Sequence, residues 1–286
     1  MRIWTMRPFA IVAAMAALYL AAATLQSQTH STVVPASAGI LGEHELGEIQ
    51  RMAPQQQAER LLERAISRYQ GALEQIENRL ASWTGNLEYT QQLGELLNLT
   101  QNSSDLRVRT AGVEITLLAY KVAKEAGEAR RFREQIVSNA QDRSWRLWVI
   151  GLLANRGVEM EESRRLLLRF LQDPDEDTRK WAVNALAMLG TDDTIEPLLE
   201  VFGKDPSMAV RERAGCGLAD SGMMTQDQRR KAIPGLLHLM DDPVLNETTL
   251  TWVFHALHEI SGQNHGNNKS AWRNWHANSL TKISSH

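Results

Sequence analysis

Four histidines crowd the end of the chain: His255, His258, His265 and His276. His255 and His258 stand three apart, so on a helix they share a face, the spacing at which two imidazoles can hold zinc or nickel. Nothing completes such a site nearby. His258-Glu259 is followed by Ile260, Ser261 and Gly262, so there is no HExxH motif. The plainer expectation is surface or boundary histidines, with no metal and no other cofactor. The single cysteine, Cys216, excludes an intramolecular disulfide and any CxxC framework. It falls inside an apolar helical stretch, which suits a small core residue better than a nucleophile. No GxSxG elbow, Walker loop or GxGxxG turn is present. A Ser-His-Asp set or carboxylate pair assembled from distant positions would leave no such trace. The expectation is a chain without enzymatic activity and without catalytic residues.

Charge excludes a second class. Arg130, Arg131, Arg133, Arg143 and Arg146 make the most basic stretch, but Glu125, Glu128, Glu134 and Asp142 are interleaved with it. The formal net charge of the whole chain is −3. This pattern suits a solvated helix face, and no nucleic-acid partner is expected.

Eight tryptophans stand against five phenylalanines and four tyrosines. Three of them, Trp148, Trp181 and Trp252, take the fourth position of similar helical stretches, and Arg213 takes it in another. On a 3.6-residue helix that position lies at the margin of the core stripe. Packing between helices is one reading of the column. A partner-binding groove lined by Trp148, Trp181, Arg213 and Trp252 is the other.

These residues sit in repeated elements. Trp145 to Gly157 (WRLWVIGLLANRG), Thr178 to Gly190 (TRKWAVNALAMLG) and Val210 to Gly222 (VRERAGCGLADSG) share Arg second, Leu ninth and Gly thirteenth. Each is preceded by a double-apolar helix running into Asp or Asn: Leu167 to Asp173, Leu198 to Asp205, and, further along, Leu236 to Asp242. Leu96 to Asn102 is an earlier copy, and a weaker one surrounds Phe132 and Ile136. Second helices are expected near Val108, Trp145, Thr178, Val210 and Thr249, at intervals of 37, 33, 32 and 39 residues. That is room for five helix pairs. Each carries one apolar stripe that only a stacked neighbour can bury.

On these residues the chain resembles HEAT repeats, the two-helix units of α-solenoids. The match rests on Asp105 with Arg109, Asp142 with Arg146, Asp175 with Arg179 and Asp205 with Arg211, and on Pro197 and Pro234 early in two first helices. The resemblance implies that these aspartates and arginines form a polar ladder between neighbouring repeats. In the fifth repeat Leu250 replaces the Arg, and the first lacks the closing Gly. HEAT-like DNA glycosylases and HEAT-like lyase subunits that attach bilins share the repeat type; the acidic balance and the apparent export signal argue against both.

The flanks complete the plan. Arg2 and Arg7 precede an uncharged apolar run, Phe9 to Leu25, with Ala21-Ala22-Ala23 inside it. Residues 1–25 read as a secretory signal peptide or, uncleaved, as a membrane anchor through residues 9–25. Residues 26–42 read as a flexible linker. Residues 43–86 read as one long amphipathic helix, with Leu62, Ile66, Tyr69, Leu73, Ile76, Leu80 and Trp83 in a 4,3 spacing. That seam caps the stack or, as a coiled coil through residues 62–83, makes a homodimer. Repeats occupy 87–262, and a Trp-rich cap and tail occupy 263–286. The expectation is an all-α solenoid of about five HEAT-like pairs with helical caps. It would be an exported, periplasmic or secreted, scaffold for an unidentified envelope protein. A HEAT-like lyase or other enzyme subunit, and a membrane-tethered sensory or assembly module, are the alternatives.

Overall fold

A computed structural model describes residues 39–283. The segments expected as signal peptide or anchor, and most of the linker, lie outside the described residues. The chain opens with β1 (Gly39–Ile40), α1 (Glu43–Arg51), α2 (Pro54–Ile66), β2 (Tyr69–Gln70), α3 (Ala72–Glu77) and α4 (Leu80–Trp83). Five helix pairs follow: α5 (Gln91–Gln101) with α6 (Leu106–Ala119), α7 (Ala126–Ser138) with α8 (Arg143–Asn155), and α9 (Met160–Phe170) with α10 (Glu176–Leu189). The last two are α11 (Ile195–Lys204) with α12 (Met208–Ala219), and, after the short α13 (Gln226–Arg230), α14 (Ile233–Asp241) with α15 (Glu247–Ser261). α16 (Lys269–Ile283) ends the described chain.

Each second helix starts two residues before its first expected residue, because a capping side chain sets the boundary. Asp105 accepts from the Arg107 N–H at 2.9 Å, Asp175 from Thr178 at 2.7 Å, Ser207 from Val210 at 3.4 Å and Asn246 from Thr249 at 2.8 Å. A side-chain oxygen here satisfies one of the free N–H groups of the first turn. Asp142 is the exception: its φ is +60° and its side chain caps nothing.

The second helices α8, α10, α12 and α15 pack side by side along their lengths, while the first helices touch one another at few places. The array therefore bends with the second helices inside. Close approach needs small residues. A Cβ on Gly151 would lie 2.9 Å from the Ala185 backbone, and one on Gly217 would lie 3.1 Å from the Ala187 Cβ. One apolar cluster runs through these four pairs, from Phe132 to Trp272.

The first pair does not continue that order. The end of α6 meets the start of α8, where Tyr120 lies 5.5 Å from Trp145 and 6.5 Å from Trp148, ring centre to ring centre. Its middle meets the end of α8, where Glu114 accepts from Arg156 at 2.7 Å. Its first turn reaches past α8: Arg109 donates to the Gly222 carbonyl at 2.6 Å and to that of Asp220. So α6 lies antiparallel to α8, whereas α10, α12 and α15 run parallel to it. Leu117 and Val113 enter the repeat cluster, and Ala111, Ile115 and Ala119 enter a second cluster formed with α1 to α5. A helix with apolar residues on two opposite sides is buried on both.

The single helix expected over 43–86 is broken. Arg68 has φ +60° and Gly71 φ +85°, and the chain between them pairs in parallel with the first strand, Tyr69 with Gly39 and Gln70 with Ile40. Left-handed backbone cannot continue an α-helix. Leu62, Ile76 and Trp83 are fully buried in the second cluster, with Ile66, Tyr69, Leu73 and Leu80 packed against it. The coiled-coil seam of residues 62–83 thus has no continuous helix to run on, and its apolar residues are spent inside the chain. Residues 39–42 are likewise not linker: Leu41 is buried in that cluster.

At the other end, Trp272 of α16 is buried and donates its indole N–H to the Gly266 carbonyl at 2.9 Å. Arg273 pairs with Asp241 at the end of α14. Among the described residues no helix is long and apolar enough to cross a membrane.

Candidate binding surface

Two layers of polar order lie along the array. The first is a ladder, shifted from the expected register. Asp205 takes both arms of Arg179, at 2.9 and 3.1 Å, across neighbouring pairs. The expected ladder grouped Asp205 with Asp175, but Asp205 lies six residues before Arg211 as Asp173 lies before Arg179, and in the fold these two align: each accepts from the N–H two residues on, at 2.8 and 2.9 Å. Ser207 is the cap, two residues after Asp205, as Asp175 is two residues after Asp173. Asp173 in turn is met by Arg143 at 3.5 Å. The remaining expected members do other work. Asp105 and Asp175 are caps, and the hydrogen bonds they accept hold both carboxyls below the usual carboxylate range. Arg109 and Arg211 reach back to the Ser103 and Asp205 carbonyls. Arg146 bonds Gln135 and the Gln141 carbonyl and lies 3.9 Å from Asp142 on its own helix.

The second is an open stripe on the second helices. Counted from each cap, side chains that escape full burial recur at the second, fifth, sixth and ninth positions. The sixth holds Trp181, Arg213 and Trp252; the ninth holds Asn184, Cys216 and His255. Trp181 and Trp252 are half-buried, resting on the core by one edge. The equivalent residue of α8, Trp148, is only 8% exposed because Tyr120 and the rest of α6 cover it. The column therefore divides: Trp148 is packing, and Trp181, Arg213 and Trp252 remain on an accessible face. Asn184 and His255 were missed as its neighbours; their fixed offset from the caps is the signal that finds them.

The family model for HEAT repeats matches residues 131–219. Those residues are HEAT repeats. The match spans most of α7 to the end of α12, so the HEAT repeats include the Arg179–Asp205 rung and two of the three accessible column residues. No curated protein matches the chain. Among solved structures, the designed armadillo repeat protein YIII(Dq.V1)4CPAF in complex with the peptide (KR)4 is similar at 17% identity. The likeness covers 72% of this chain and 99% of that one, with a TM-score of 0.32.

The candidate chemical groups are placed apart. Among the described residues no three His, Cys, Asp or Glu side chains gather as a metal-holding group. His255 is exposed, the His258 Nδ1 lies 2.8 Å from the Gln263 carbonyl, and His265 stands edge-on to Trp272 at 4.8 Å. The basic stretch is neutralised locally: Arg131 pairs with Glu128, Arg130 and Arg133 with Glu159, and Arg143 with Asp173. Burial pushes the Cys216 thiol up to about 11. The thiolate is the reactive form, so at pH 8 Cys216 should alkylate about 100-fold more slowly than a thiol with the ordinary value near 9. The rate with iodoacetamide, followed by mass, should keep rising to about pH 11.

Proposed function

We propose that the protein is a non-enzymatic, exported scaffold whose second-helix face holds a protein partner in the cell envelope. The observation that carries this is the accessible Trp181–Arg213–Trp252 column on a continuous, closely stacked layer. Stacked helix pairs present an extended face of the kind repeat scaffolds use. Large aromatics and arginine resting on a preformed surface are the side chains that dominate protein interfaces, because they bury much area at little ordering cost. Export rests on the basic start and apolar run of residues 1–25.

The test is capture from envelope extract with the purified chain, read by mass spectrometry. Wild type should retain a defined partner. Trp181→Ala with Trp252→Ala should lose it, and so should Thr251→Arg, a change at an exposed position of the same stripe that leaves the core untouched. A partner retained equally by all three proteins would remove the second-helix face as the site.

A further inference from the structure

The outer layer carries a groove of its own, between α7 and α9. Its walls are Arg133, Glu134 and Val137 of α7 and Glu162, Leu166 and Arg169 of α9. Leu166 is buried at its floor, while Val137 is 61% exposed. Arg133 reaches Glu159 through one arm, but its Nη1 is buried with no hydrogen-bond partner among the described residues. A buried guanidinium N–H in that state costs free energy until an acceptor arrives. Arg169 is exposed at the end of α9 and, among the described residues, makes no ion pair. Other arginines of this helix are already matched: Arg164 with Glu161 and Asp193, Arg165 with Glu162.

We propose that this groove takes a partner-protein segment in which an aliphatic side chain lies one or two residues from an acidic one. The aliphatic group covers Val137 and Leu166. The carboxylate pairs with Arg169, and a main-chain carbonyl accepts from the Arg133 Nη1. Glu134, which among the described residues makes no ion pair, and Glu162 place negative charge towards the Arg133 end, so the acidic side chain is excluded there and the segment has one polarity. Glu162 and Arg169 are seven residues apart, about 10 Å along a helix, which three extended residues span at about 3.3 Å each. The proposal rests on the scaffold reading but uses the opposite layer of the array from the Trp181 column.

The probe is a fluorescein-labelled, end-blocked Ser-Leu-Glu-Leu-Asp-Ser peptide, followed by anisotropy at low ionic strength, with a Ser-Leu-Lys-Leu-Lys-Ser counterpart. The acidic peptide should bind saturably and the basic one should not. Arg169→Glu should weaken binding about tenfold or more, since it places like charges face to face. Val137→Ser should weaken it several-fold, and Glu134→Gln should tighten it. All three positions are exposed, and unchanged melting confirms that the fold is kept. No saturable binding, or binding indifferent to Arg169→Glu, overturns the proposal. So does a dimer of the free protein that Val137→Ser breaks, which would make a second copy the occupant. If envelope capture persists in Arg169→Glu and is lost in Thr251→Arg, the groove fails and the scaffold reading stands; if no variant or wild type captures anything, the scaffold reading itself fails.

Discussion

Asp205→Ala is expected to lower stability by about 3–5 kcal/mol, the cost of leaving one member of a buried ion pair without its partner. For an array of this size that is a fall of roughly 10 °C in melting temperature. Arg179 and Asp205 are 9% and 7% exposed, so solvent screens the pair little. The change also strips the Ser207 N–H of its acceptor. Arg179 keeps the Asp173 and Pro174 carbonyls at 3.0 and 3.2 Å but carries its charge unmatched. Asp227→Ala, which breaks the exposed pair with Arg230, is the control and should leave melting nearly unchanged. Replacing both partners, Arg179→Met with Asp205→Leu, should recover most of the loss, because the desolvation cost disappears with the charges. A scanning-calorimetry difference of less than 2 °C for Asp205→Ala would mean that the rung is incidental.

Trp148→Ala is the second large effect, at about 3–5 kcal/mol for the loss of a buried indole and the cavity left behind. Its consequence is not confined to α8. Tyr120 rests on Trp148 and Trp145 and stacks on Tyr89 at 4.7 Å, so one aromatic set joins the amino-terminal helices to the repeats. Losing one of the rings on which Tyr120 rests should loosen residues 39–122 ahead of the repeats. Hydrogen exchange should show α6 amides gaining exchange before those of α10 and α12. Trp181→Ala, at the half-buried position of the column, should cost less stability and more binding. Equal destabilisation by the two changes would contradict the division of the column made here.

The repeats were legible because each helix repeats one local pattern: an acceptor at the start, a stripe of Leu and Ala, and a Gly at the close. Gly190 and Gly222 show why the last matters. Both are left-handed, and a Cβ at either would meet a carbonyl at 2.5 and 2.4 Å. Local pattern does not carry direction, so α6, with the same cap and the same Arg as its cousins, gave no sign that it is reversed. The clue was its composition: Val113 and Leu117 lie on one side of the helix and Ile115 and Ala119 on the opposite one, so it has two apolar sides and not one. The seam of residues 62–83 misled for a related reason. Its 4,3 spacing is real, but Arg68 and Gly71 stand inside it, and two left-handed residues override seven well-spaced apolar ones. The ladder's register was hidden because Asp173 and Asp175 both lie before Arg179; the six-residue spacing shared by Asp173 with Arg179 and Asp205 with Arg211 is what marks the pair that aligns. The groove between α7 and α9 was hidden inside a stretch legible only as mixed charge. Which arginine is matched depends on partners far along the chain, such as Glu159 for Arg133.

Arrays of this kind are ordinarily soft springs, since each unit grips only the units beside it. Here Arg109, from the first pair, grips the carbonyls of Asp220 and Gly222 beyond the fourth, where the buried Arg229 also holds the Gly217, Leu218 and Ser221 carbonyls. That contact closes a truss over the middle of the molecule. Bending there has to break these hydrogen bonds, a cost that the segment from α14 onward, where Trp252 stands, does not carry.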